Sequence, residues 1–207
     1  MQAIDSVFYI AVLLLSVIIH EISHGYAALY FGDQTAKLAG RLTLNPFKHL
    51  DPIGSVLLPL FLVLSGSGIV FGWAKPVPFN PFNLRDQKKG VLAVASAGIL
   101  ANLFIALVFG LLIRFGIAYN FDSEPFIFIT SAIVIVNLVL AVFNLVPIPP
   151  LDGSKILFAL LPPRFRALEF FLERFAIFIL VVFIFFFWQK IAPVIFYLFN
   201  LLTGLTF

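Results

Sequence analysis

The chain has 207 residues, 62% of them hydrophobic and 11% charged, with 27 phenylalanines and a mean hydropathy of +1.11. A soluble domain carries about 25% charged residues, so the polar groups here are too few to coat a water-exposed globule, and a cytosolic domain and a disordered chain are both excluded. The net charge of +3 sits in loops and forms no patch large enough for nucleic acid, and the absence of cysteine removes disulfides, thiolate nucleophiles and Cys-zinc sites.

Residues 6–31 form the first apolar stretch. It lacks the basic leader and clean cleavage site of a signal peptide and carries His20, Glu21 and His24 near its end, so it reads as a retained membrane span. Residues 32–52 are polar; within them 36–44 partly alternates, with Leu38, Leu42 and Leu44 on one parity and Gly40 as a turn or bulge, which predicts a short β element. Residues 53–71 are apolar but interrupted by Pro59 and by Ser-Gly-Ser-Gly at 65–68, a pattern that fits either a span or a re-entrant segment. Residues 72–90 are a loop with Pro76, Pro78 and Pro81 and the cations Lys75, Arg85, Lys88 and Lys89. A second span covers 91–115, an acidic turn with Asp122 and Glu124 covers 118–125, and a third span covers 126–146. That span runs into Pro147, Pro149 and Pro150, which break a helix. A short helix over 153–161 stops at Pro162-Pro163, a fourth span covers 166–188, and 191–207 is a short apolar segment that lies in the interface or dips inward.

The expected fold is therefore an all-α polytopic membrane bundle of about four spans plus one re-entrant or extra span. A small β element follows the first span, and residues 1–207 form a single membrane-embedded domain. Basic loops mark the cytoplasmic side. On that rule 72–90 and 151–166 lie inside and 118–125 outside; 32–52 also leans inside, which favours a re-entrant 53–71 and an external N-terminus.

His20 and His24 are spaced i, i+4 and share a helix face, so they can bind one metal ion. Glu21 is rotated about 100° from His20, where it can act as general base on a water at the metal and pass the proton to a leaving amine. Ionisable residues within a span cost about 2.5–3.5 kcal/mol each on insertion scales and need partners, which weighs against a chance occurrence of this pattern. Two imidazoles and a carboxylate suit one zinc ion. The third ligand is open between residues. His49 lies in a wet loop and reads more simply as an exposed histidine. Glu169 and Glu173, beside Arg166 and Arg174, read as an ion-paired helix end. Asp152 follows the proline break and precedes Gly153, but Asp-Gly is also an ordinary turn.

The pair formed by His20-Glu21-Ile22-Ser23-His24 and the segment Asn144 to Gly153, with Asn144, Pro147, Asp152 and Gly153 in place, resembles the site-2 protease family of intramembrane zinc metalloproteases. Residues 40–54 and 71–81 also look like the loops of a compact bacterial subgroup without a PDZ domain. The resemblance covers about residues 6–160 and implies that His20, His24 and Asp152 bind zinc, that Glu21 is the catalytic base, and that Asn144 holds substrate backbone. Pro147 falls in the broken wall of the same site. The implied partner is a membrane-spanning protein substrate within the lipid bilayer; the implied location is a bacterial cytoplasmic membrane, with the active site towards the cytoplasm. Where the family often has Gly-Pro in its third core helix, this chain has Gly98-Ile99; Gly98 and Asn102 read as a helix-packing site. Two other readings remain open on sequence: a membrane zinc protease that cuts loops or soluble segments through a distant Glu ligand, and a catalytically silent metal-binding membrane protein.

Overall fold

The computed structural model describes residues 2–57, 61, 64 and 74–205, the side chains of 2–6, 55 and 56 excepted. Among the described residues there are seven α-helices: α1 (Gln2–Tyr30), α2 (Thr35–Leu38), α3 (Gln87–Ala118), α4 (Glu124–Leu145), α5 (Asp152–Leu160), α6 (Arg166–Arg174) and α7 (Ala176–Thr203). Four are long and apolar enough to cross a membrane: α1 over Val7–Tyr30, α3, α4 and α7. The protein is an integral membrane protein.

The bundle is organised around α3, which packs against α1, α4, α5 and α7. Its start is fixed by Asp86, whose side chain accepts the Lys89 N–H. Every fourth residue from Gly90 through Val94, Gly98, Asn102 and Ala106 to Gly110 is buried, which makes one ridge of mostly small side chains. In lipid no hydrophobic force draws helices together, so close approach over such ridges drives their packing. A row of i+4 positions drifts about 40° per step around the axis, so one ridge meets successive neighbours. Gly90 meets Leu84, Gly98 meets α1 and Gly110 meets Leu202 of α7. α1 and α3 run antiparallel, with His24 level with Val94 and His20 level with Gly98. Where α3, α4 and α7 meet, buried apolar residues form one cluster: Ala106 and Ile113 of α3, Val134 and Leu138 of α4, and Ile195 and Phe199 of α7.

Two expectations are corrected. Residues 36–44 form no β element: Thr35–Leu38 is a helical turn, Leu38 and Leu44 are exposed, and no strand occurs among the described residues. Asp33 starts this turn by accepting from Thr35, and Gly40, at φ +63°, closes it while Arg41 N–H donates to Ala36 O. The regular spacing of leucines thus came from a turn, not from a pleat. The fourth span is also displaced. α6 carries the charges Arg166, Glu169, Glu173 and Arg174, buries none of its residues and stops at Phe175; the spanning helix starts at Ala176 and continues through Pro193 to Thr203. Much of the expected interfacial segment 191–207 is therefore the second half of α7. A neighbouring helix and adjusted backbone can absorb a proline within a membrane helix. Residues 52–57 form a π-type turn, and the re-entrant reading of 53–71 otherwise falls largely outside the described residues.

The segment 74–85 crosses the end of α1 and is clamped by residues 21–49. Arg41 Nη2 donates to the carbonyls of Lys75 (2.6 Å) and Pro76 (3.3 Å), and Lys75 N–H donates to His49 O at 2.9 Å. Buried Asp33 accepts from Asn80 N–H at 2.7 Å and from Asn83 Nδ2 at 3.0 Å, and Arg85 N–H donates to Phe31 O at 2.9 Å. Burial favours a neutral Asp33, but its hydrogen bonds from Thr35, Asn80 and Asn83 outweigh this and hold the carboxyl below the usual carboxylate range. Replacing Asp33 by Ala should destabilise this clamp by about 2–4 kcal/mol and expose the bond after Arg85 to trypsin while α3 and α4 stay protected. An unchanged digestion pattern would show that Asp33 does not hold the segment.

Candidate metal centre

His20 and His24 lie one turn apart on α1 and are 6% and 7% exposed. Their Nε2 atoms are 3.0 Å apart, and each lies 3.0 Å from Asp152 Oδ2. His24 is held from behind by its Nδ1, which donates to Val94 O on α3 at 2.6 Å. Both rings fit because α3 has no side chain at position 98: a Cβ there would stand 2.6 Å from His20 Nδ1 and 2.7 Å from His24 Cε1. Gly98 thus does more than pack helices.

Asp152 reaches this point across 128 residues of chain after His24. α4 ends at Leu145, the prolines turn the backbone, and α5 begins at Asp152 itself, where a carboxylate complements the helix dipole. Gly153 lets α5 start hard against the end of α4, since a Cβ there would collide with the backbone carbonyl of Leu145. The second oxygen of Asp152, Oδ1, accepts from Lys155 Nζ at 3.0 Å. Burial opposes ionisation of Asp152, but its close approach to His20 Nε2 and His24 Nε2 and the charge of Lys155 prevail, and its carboxyl is held well below the usual range.

The three atoms form the one group of metal-binding type among the described residues, all within 4.8 Å of one another. Ligands of a tetrahedral zinc stand about 3.3 Å apart, so this buried donor set fits that ion with little adjustment. Glu21 lies beside it with Oε2 accepting the Val77 N–H at 2.8 Å, so the clamped segment 74–85 ends its inward reach on this carboxylate.

The other expected residues fall differently. Asn144 is half-buried near the end of α4, with Nδ2 donating to Leu140 O at 3.0 Å, and Pro147 is exposed in the break. His49 is not an exposed loop histidine: it is buried, donates from Nε2 to Thr43 O at 2.8 Å and stands outside the metal group. Glu169 and Glu173 line a cavity of about 670 Å³ with Lys88, Lys155 and Arg166, and among the described residues they form no ion pair. Sequence reading missed Val77, whose contribution is a backbone N–H without residue signature. It also missed Lys155, although its i+3 spacing from Asp152 in a short helix could have flagged it.

A helical membrane protein with two imidazoles and a carboxylate converging inside its bundle has the donor set of a membrane-embedded metal centre. Similarity to known proteins narrows the class. The family model described as Peptidase family M50 matches residues 121–187. YwhC of Bacillus subtilis is 39% identical over 165 residues, covering 77% of this chain and 72% of YwhC. Rip2 of Mycobacterium tuberculosis is 30% identical over 161 residues, covering 77% of this chain and 58% of Rip2. MJ0392 of Methanocaldococcus jannaschii is 27% identical over 168 residues, covering 80% of this chain and 38% of that protein. All three names contain the words zinc metalloprotease. No solved structure gives a significant match. The chain belongs to peptidase family M50, the family of the site-2 proteases, and is a zinc metalloprotease of compact bacterial type.

Gly98→Ala tests the packing of the centre. It should lower zinc affinity at least tenfold, because both rings must move by several tenths of an ångström, with little change in helix content by circular dichroism. Wild-type zinc affinity in this variant would reduce Gly98 to a helix-packing residue.

Proposed function

We propose that His20 Nε2, His24 Nε2 and Asp152 Oδ2 hold one zinc ion, and that the protein cleaves peptide bonds of membrane-spanning protein substrates within the bilayer. The supporting observation is that these three atoms converge on a spanning helix, at the break between α4 and α5. Bound zinc supplies Lewis acidity towards the attacking water and the scissile carbonyl.

The chain's own groups do the rest. Glu21 is the general base. Val77 N–H fixes Oε2, which leaves Oε1 to take the proton of the attacking water and to deliver it to the leaving amine. Lys155 keeps Asp152 presented through Oδ2 by engaging Oδ1. A helical substrate hides its peptide bonds in its own hydrogen bonds and must unwind to be cut. The backbone broken at Pro147, Pro149 and Pro150 forms the wall against which it unwinds, and Asn144 gives up its bond to Leu140 O to take a substrate backbone group. Lys75, Lys88, Lys89 and Arg166 gather near the metal end of the bundle, whereas Asp122 and Glu124 lie beyond the far end of α3. The metal end therefore faces the cytoplasm of a bacterial cytoplasmic membrane.

The test is zinc stoichiometry of the purified full chain together with cleavage of a panel of single-span substrates. Wild type should hold one zinc ion. Glu21→Gln should keep it and lose at least about 100-fold in rate. Asp152→Ala should lose zinc and rate together. Full-rate cleavage by the Glu21 variant, or undiminished zinc in the Asp152 variant, would overturn the corresponding assignment.

A further inference from the structure

One helical turn deeper than the metal-binding atoms, the bundle holds three buried polar side chains from three helices: Ser16 of α1, Asn102 of α3 and Asn137 of α4. The antiparallel register that sets His24 beside Val94 and His20 beside Gly98 continues to set Ser16 level with Asn102. Asn137 Nδ2 joins the layer by donating to Ser16 Oγ at 3.0 Å and to Ile133 O at 2.9 Å.

This layer is short of partners. Asn102 is 0% exposed, and neither its Nδ2 nor its Oδ1 has a hydrogen bond among the described residues; the same is true of Asn137 Oδ1. Immediately above, His20 Nδ1 is also buried without a partner among the described residues, on the edge of the ring that faces Gly98. Residues on a helix lean towards its N-terminus, so the Asn102 side chain is inclined along α3 towards Gly98 and His20. Beyond the layer the neighbours are apolar, Ala106, Val134 and Leu138. Unpaired amide and imidazole atoms so well buried call for a ligand, and the one that is both donor and acceptor, and small enough, is water. A ring that binds metal through Nε2 needs Nδ1–H held by an acceptor; His24 has Val94 O, and among the described residues His20 has no atom in that role.

We propose that Asn102, together with Asn137 and Ser16, holds a buried water that accepts the Nδ1–H of His20, which makes Asn102 a positioning residue for that metal-binding ring. The inference rests on the reading of His20 as a zinc ligand. The water takes the Nδ1–H, donates to Asn102 Oδ1 and Asn137 Oδ1, and receives a hydrogen from Asn102 Nδ2. His20 is thereby fixed as the tautomer with a free Nε2 and held in orientation from behind, as Val94 O holds His24.

The experiment uses the full chain in detergent with three substitutions: Asn102→Leu, which keeps the branched outline, fills the water's place and removes the amide, Asn102→Ala, which leaves room for further water, and Asp152→Ala. Zinc affinity is measured by chelator competition, and unfolding midpoints are measured without zinc. The Leu variant should bind zinc about 10–100-fold more weakly than wild type while its metal-free midpoint stays equal or rises, because apolar atoms replace both a buried amide and the water it holds. The Ala variant, refilled by water, should return to within about threefold of wild type. A purely structural amide predicts the reverse, a lower midpoint with unchanged affinity, and that result overturns the proposal; so does an Ala variant as weak as the Leu variant. Should the Leu variant fail to fold, nitrogen-15 spectra of histidine-labelled, zinc-loaded wild type decide: His20 should show a protonated Nδ1 with a cross-peak to water, and a His20 Nδ1–H without that cross-peak would overturn the proposal. Wild-type zinc affinity in Asp152→Ala marks failure of the ligand reading itself, separately from any result at Asn102.

Discussion

The space left by one missing side chain governs this structure. Two imidazoles from α1 press against the backbone of α3 at Gly98, and there is no room for a Cβ between them. That contact fixes the separation of the two helices, and with it the register in which Val94 O meets His24. Gly153 plays the matching part for the carboxylate, since α5 can begin at Asp152 only by lying against the carbonyl end of α4. Three donor atoms from two distant parts of the chain are therefore brought together by close backbone approach, which suits a medium where helices are held by packing and not by expulsion of water.

The two ends of the bundle are built on different terms. Where α3, α4 and α7 meet, the contacts are aliphatic and aromatic, centred on Ile113, Leu138 and Phe199. At the metal end the backbone is irregular and its polar groups must be satisfied one by one. Buried Arg41 and Asp33 do this for residues 75–83, and His49 lends its carbonyl. The result is a pinned segment that delivers a single N–H, from Val77, to the Glu21 carboxylate. The prolines on either side of Val77 have no N–H of their own, so the donor at that point is unambiguous.

Much of this was legible in the sequence because it rests on short-range periodicity. The i, i+4 histidines, the spans that became α3 and α4, and the helix break at 147–150 all follow from local spacing. Asp152 was one candidate among several from the residues themselves and was singled out by the family resemblance; the fold brings it, and not His49 or the glutamates, to the two histidines. The misreadings have physical causes. Leu38, Leu42 and Leu44 share parity, yet Asp33 and Gly40 wind that stretch into a capped turn. The apolar run that begins near 166 hid a change of environment at Phe175, which separates a charged surface helix from a span. The helix also passes through Pro193, which joins residues 191–203 to the span. Contacts made by main-chain atoms, such as Val77 N–H and Val94 O, leave no residue signature at all.

The antiparallel alignment of α1 and α3 also limits how this protein can change over evolutionary time. One inserted residue between Ser16 and His24 would swing everything on one side of it through about 100° and shift it by about 1.5 Å, so an imidazole or the inner serine would leave its place opposite α3. Deletions act in the same way. Length variation is thus barred from these two stretches of helix and left to the connections at 118–124 and 161–165, where a gained or lost residue turns nothing that faces the histidines.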